Sequence, residues 1–169
     1  MRRALIFGAA ALLASCAGRR GPPEPAPGRE EGMASYGVGA LTFEAPAGWR
    51  ASGEPRRFTL LRPDERAKLD VQQVDRRFKG EKECLADAEA ALARGSDGLQ
   101  NLRRHDTTFG GRRAILQEAD AGQWHGWAWA VCDRQTQYRL FLTGRSPLPP
   151  DVLRAQRVLL SSARVAGGR

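Results

Sequence analysis

Apolar and polar positions change period along this chain, and the changes mark its elements. Residues 40–49, "ALTFEAPAGW", begin as a strand and end in a Pro-Ala-Gly turn. Residues 56–62 in "RRFTLLRPD" predict a second strand that stops at Pro63. In "KLDVQQVDRRF", Leu69 and Val71 share one face of a third strand, with an irregularity before Val74. The period then lengthens: Cys84, Leu85, Ala88, Ala91 and Leu92 form one stripe of a helix from Glu81 to Arg94, closed by Gly95. Four more strands follow at residues 99–108, 112–119, 123–132 and 136–143. They are separated by Gly110-Gly111, "ADAG" and "DRQ", the spacing of a hairpin meander. The prolines at 147, 149 and 150 break the chain. A second helix starts near Asp151, with Val152, Leu153, Gln156, Leu159, Leu160 and Ala163 on its stripe. The predicted order is β-β-β-α-β-β-β-β-α. Each helix has one apolar stripe, so the expected class is α+β, an antiparallel sheet of about six or seven strands with two helices packed on it.

The stretch "QWHGWAWAVC" puts its aromatics on one side. On an alternating strand His125, Trp127, Trp129 and Val131 share a face, while Trp124, Gly126, Ala128, Ala130 and Cys132 share the other. Trp127 and Trp129 read either as core beneath a helix or as an aromatic platform for a glycan, peptide or partner. The small residues opposite fit a closely packed helix that brings Cys84 near Cys132.

The N-terminus follows a different logic. Met1-Arg2-Arg3, an apolar run from Ala4 to Leu13, and Ala14-Ser15-Cys16 form the three regions of a secretory signal. The run is shorter than the roughly 20 residues needed to span a bilayer. Leu13-Ala14-Ser15-Cys16 resembles the lipobox of bacterial lipoproteins. That resemblance implies acylation of Cys16, its exposure as the new N-terminus, and a membrane anchor of two or more acyl chains, enough for stable attachment. Ala17 rather than Asp follows, which in the enterobacterial sorting pattern implies the outer membrane rather than the inner. The expected organisation is a signal peptide at 1–15, a lipidated Cys16 with a Pro- and Gly-rich tether at 16–35, and one domain at 36–169.

Composition adds two points. The chain has 27 Lys+Arg against 19 Asp+Glu, and loss of Arg2 and Arg3 with the signal peptide would leave a net charge of +6. The only lysines are Lys68, Lys79 and Lys82; the rest is Arg, the better partner for phosphate or carboxylate. GC-rich codon usage accounts for the same excess without a ligand. Four pairs stand out: Arg56-Arg57, Arg76-Arg77, Arg103-Arg104 and Arg112-Arg113. They read as a basic rim for anionic lipid headgroups or polysaccharide, or as plain solubility. With Cys16 lipidated, Cys84 and Cys132 remain as an even pair in an oxidising compartment, the alternative being two buried thiols. A bridge closing that loop would stabilise by on the order of 4 kcal/mol in the chain-entropy model.

Catalytic patterns are sparse. No Gly-x-Ser-x-Gly elbow occurs, and "GSDG" at 95–98 reads as a helix-ending turn. His105 and His125 fall on the fourth and sixth strands, roughly 10 Å apart, too far to ligate one ion. Asp75, Glu118 and Asp120 are scattered in the sequence and read as solvated surface. No cofactor, metal or nucleic-acid partner is expected.

"FEAPAGW" on an early strand, a middle helix, a four-strand meander and a closing helix running into "VLLSSARV" resemble the PsbP-like fold, over residues 39–165. Members serve as photosystem subunits, binding modules and lipid-anchored envelope proteins, typically without catalysis. The resemblance implies a non-catalytic binding or assembly role at the cell envelope, with another envelope protein or an anionic surface as partner. A small-ligand binder with a pocket between helix and sheet is the second reading, and a hydrolase the third. An apolar pocket would favour the small ligand; a flat basic or aromatic patch would favour a partner.

Overall fold

In a computed structural model that describes residues 21–166, the meander forms as the turns predict. The expected signal peptide, the lipobox-like residues 13–16 and the expected acylation at Cys16 lie outside the described residues. Six strands precede the first helix: β1 (Ala26–Pro27), β2 (Met33–Val38), β3 (Leu41–Pro46), β4 (Arg50–Glu54), β5 (Arg57–Leu61) and β6 (Ala67–Gln73). Helix α1 (Glu81–Arg94) follows, then the meander strands β7 (Gln100–Phe109), β8 (Arg112–Ala121), β9 (Trp124–Asp133) and β10 (Thr136–Arg145), and finally α2 (Pro150–Ser162) and β11 (Arg164–Val165). Pro150 opens α2 where its missing N–H costs nothing.

The single expected sheet is two. A seven-stranded sheet runs β4-β5-β6-β10-β9-β8-β7, and a four-stranded sheet runs β1-β2-β3-β11. The small sheet lies on one face of the large one, where Phe43 stacks on Phe58 at 6.4 Å and Tyr36 on Phe58 at 6.2 Å. Helix α2 borders β3: the Ser162 hydroxyl accepts a hydrogen bond from the Glu44 amide at 2.9 Å. Helix α1 packs on the opposite face of the large sheet. The layers are therefore small sheet with α2, large sheet, and α1.

Trp127, Trp129 and Val131 face the small sheet and α2 and are buried in the main core with Leu140, Leu142, Leu69 and Val71. Ala128 and Ala130 face α1, against Ala88 and Leu92. Two glycines permit the layers to meet. Gly39 turns β2 into β3 at a φ of 57°, and the next amide, Ala40, donates to the Tyr138 hydroxyl at 3.1 Å. A Cβ on Gly144 would lie 2.8 Å from Leu148 and 3.2 Å from Val152, so glycine allows the start of α2 to approach β10.

Three further expectations are corrected. The tether drawn to Ser35 ends earlier, because Ala26 pairs with Ser35 and Pro27 with Ala34. β4 and β11 had no apolar alternation to reveal them; β4 is an edge strand of mostly exposed polar residues, held by its hairpin with β5. The buried stripe of α2 is Val152, Ala155, Val158 and Leu159, whereas Leu153 and Leu160 are exposed. Two apolar lines run side by side along that helix, and only one meets the core.

Candidate functional site

The outer face of the large sheet is only partly covered. Strands β8, β9 and β10 have 10 residues each, about 33 Å of extended chain. Helix α1 has 14 residues, about 21 Å. Where α1 ends at Gly95, a cleft of about 200 Å³ opens over the uncovered strand ends. Alternation supplies its lining. Ala119 pairs with Gly126 and Gly126 with Thr143, so three small residues side by side make a trough. Trp124 and Phe141 stand on either side, and Leu99 closes the helix end. Phe141 is 37% exposed, one of four large apolar side chains left open to solvent among the described residues.

Two polar groups border this apolar trough. The Gln117 side-chain oxygen accepts from Arg104 Nη2 at 2.6 Å and Nε at 3.1 Å, and from the Ser96 hydroxyl at 3.4 Å. That cluster also ties β7 and β8 to the turn after α1. The Thr143 hydroxyl oxygen is buried beneath the trough with no hydrogen-bond partner. The trough is an apolar concavity rather than a flat surface.

The other face of the same strand ends carries a charged cluster. Asp120 lies opposite His125, and Glu118 is the next residue along that face. His125 Nδ1 is 2.7 Å from Asp120 Oδ1, and its Nε2 is 3.2 Å from Glu118 Oε1. Asn101 donates to the other Asp120 oxygen at 2.7 Å. This bond first, and His125 second, hold the Asp120 carboxyl below its ordinary value. The expectation that Glu118 and Asp120 are scattered surface is thus corrected: strand register brings them to one histidine. Each ring nitrogen faces a carboxylate oxygen. The cluster ties the β8–β9 turn to β7, and the imidazole packs edge-on against Trp127 at 4.5 Å. His105 sits elsewhere, opposite Leu116. No group of three His, Cys, Asp or Glu is placed to hold a metal ion among the described residues.

Cys84 and Cys132 form a disulfide from α1 to β9. Beside it, Gln137 is fully buried and donates to the Cys84 carbonyl at 3.0 Å. Arg139 bridges Gln137 and Asp87, and Arg76 reaches both Glu83 and Asp87 while lying over the Phe78 ring. This network fastens the first half of α1.

The arginine pairs do not converge on one patch. Arg56 and Arg57 lie at β5 and Arg103 and Arg104 at β7, five strand spacings away, or about 24 Å. Arg56 is 3.8 Å from Asp75, Arg112 is 3.0 Å from Asp133, and Arg113 is 3.7 Å from Glu81. Arg103 faces Glu118 across β7 and β8. Trp127 and Trp129 are core. The residues that sequence reasoning passed over are Trp124, Phe141 and Leu99. The available signal was the mismatch between a short helix and three long strands.

No family model and no curated protein matches this chain. Two solved structures are similar in fold. The solution structure of cyanobacterial PsbP (CyanoP) from Synechocystis sp. PCC 6803 shares 14% identity and covers 83% of this chain and 96% of its own, with a TM-score of 0.58. A crystal structure from Bacteroides thetaiotaomicron VPI-5482 shares 10% identity over 75% of this chain and 45% of that one, with a TM-score of 0.50. At these identities the likeness concerns the fold, which is PsbP-like.

Proposed function

We propose that this chain is a non-catalytic accessory protein of the bacterial cell envelope, held to the membrane by acylated Cys16, and that it binds a small apolar or aromatic ligand in the cleft between Trp124 and Phe141. The observation that carries the binding reading is the cleft itself: an apolar trough of about 200 Å³ at the end of α1, walled by Trp124 and Phe141. The N-terminal sequence supports the anchor, through its basic start, apolar run and Leu13-Ala14-Ser15-Cys16. The Cys84–Cys132 disulfide fits an oxidising compartment. Ala17 favours the outer membrane. The PsbP-like fold fits a role without chemistry of its own.

N-phenyl-1-naphthylamine, an uncharged aromatic probe, tests the site on the mature chain carrying Cys16→Ser. Saturable binding with energy transfer from tryptophan is expected. Trp124→Ala and Phe141→Ser should each weaken it about tenfold or more with unchanged melting. Equal binding by wild type and both variants would place the ligand elsewhere.

A further inference from the structure

The outward line of α2 is the part of the surface that the ligand cleft leaves unexplained. Leu153 is 42% and Leu160 39% exposed. They are seven positions apart, two helical turns, and so lie on one line. Arg157 stands between them, Arg154 lies at one side, and Arg164 follows the helix end. Two nearby carboxylates, Glu30 and Asp151, are already paired with arginines, and Glu31 takes part through its backbone. Glu30 is 3.6 Å from Arg154, and the Glu31 carbonyl accepts from the same guanidinium at 2.8 Å. Asp151, at the start of the helix, is bound by Arg62 at 2.8 Å.

We infer that this face of α2, through Leu153, Arg157, Leu160 and Arg164, rests on an anionic phospholipid surface. The inference depends on the anchored reading of Cys16. Four residues separate Cys16 from Gly21, five Cα–Cα steps with a covalent reach of at most about 18 Å. From Gly21 the chain enters β1, on the small sheet that α2 borders, and the turn after β1 lies against Arg154. The anchor therefore joins the domain at the layer that carries α2. Charge agrees with this side. Helix α1, on the opposite layer, has Glu81, Glu83, Asp87 and Glu89 against Lys82 and Arg94. Helix α2 has Asp151 against Arg154 and Arg157, with Arg164 next in the chain, and the sequence between Cys16 and Gly21 adds Arg19 and Arg20. Of the two helices, an anionic surface attracts α2 and repels α1. Two half-exposed leucines and a few arginines bind weakly alone, but they are enough to orient a domain already held at the surface. The ligand cleft, on the α1 side, then opens away from the membrane.

Hydroxyl-radical footprinting of the mature lipidated protein on vesicles of phosphatidylethanolamine and phosphatidylglycerol tests this, with intact mass read on the same sample. Oxidation of Leu153 and Leu160 should fall about threefold or more relative to the Cys16→Ser chain in solution, while Leu102 and Phe141 keep their rates. Arg157→Glu should restore oxidation without altering the melting temperature, and phosphatidylcholine vesicles should protect less. Unprotected Leu153 and Leu160 on a chain that carries its lipid would overturn the docking face and leave the anchor standing. A chain without the lipid adduct would overturn both. Protection of the Cys16→Ser chain in solution, rising with its concentration, would give the face to a second copy instead. Equal protection on phosphatidylcholine would rule out the anionic surface.

Discussion

The outer face of the large sheet is built from the same three strands at both ends, yet one end is sealed and the other is open. At the sealed end Ala130 and Cys132 lie under α1, which is held by the disulfide, by Gln137 and by the Arg76–Asp87–Arg139 ion pairs. At the open end Ala119, Gly126 and Thr143 are just as small, but α1 has already ended. Small residues under a helix give close packing, because the helix supplies the missing volume. Without the helix the same residues leave a cavity. Residue size alone therefore separates neither the core nor the site; the position at which α1 stops decides between them.

That contrast can be broken or sharpened in three ways. The largest effect is expected from removing the staple: Cys84→Ser with Cys132→Ser should cost on the order of 4 kcal/mol, less any strain released. Urea unfolding should show a lowered midpoint, and reducing agent should lower the wild-type midpoint alike. An unchanged midpoint would mean that packing alone holds α1. Next come matched enlargements at the two ends. Ala130→Leu overfills a closed contact and should cost about 1–3 kcal/mol. Ala119→Leu extends into open space and should leave stability within about 0.5 kcal/mol, while excluding the naphthylamine probe. Equal destabilisation by both would show that the cleft closes in solution. The smallest effect is electrostatic, at partly exposed groups. The Glu83 carboxyl is held low chiefly by the Lys79 backbone amide, which donates at 2.7 Å, and the Asp120 carboxyl chiefly by Asn101. A depressed native pKa means that the unfolded state binds more protons. The contribution is therefore complete above the unfolded values, about 4 to 4.5, and is lost as pH falls through the native ones. Melting temperature should drop more steeply below about pH 4.5 in the wild type than in Glu83→Gln or Asp120→Asn. A slope unchanged in either variant would remove that residue from the acid response.

Much of the architecture was legible in periodicity. Helix α1 begins and ends where the apolar stripe and Gly95 place it, and the four meander strands fall between the expected turns. The pairing of Cys84 with Cys132 followed from counting cysteines, and the PsbP-like order from a few signatures. The second sheet was not legible. β1 and β11 have two residues each, and Gly37 interrupts the alternation of β2, so no apolar period marks them. The stripe of α2 was misread because Leu153 and Leu160 are as apolar as Val152 and Leu159; only the neighbouring β3 decides which line is buried.

The cleft and the charged cluster show the same division. Trp124, Ala119 and Phe141 are each ordinary in the sequence, and Asp120, Glu118 and His125 read as unrelated charges. Local pattern determined the elements, because backbone period and turn chemistry act over a few residues. Register across strands and the reach of one helix over a sheet act between residues far apart in the chain. Those long-range relations, settled only when the layers pack, decided where this protein is closed and where it is open.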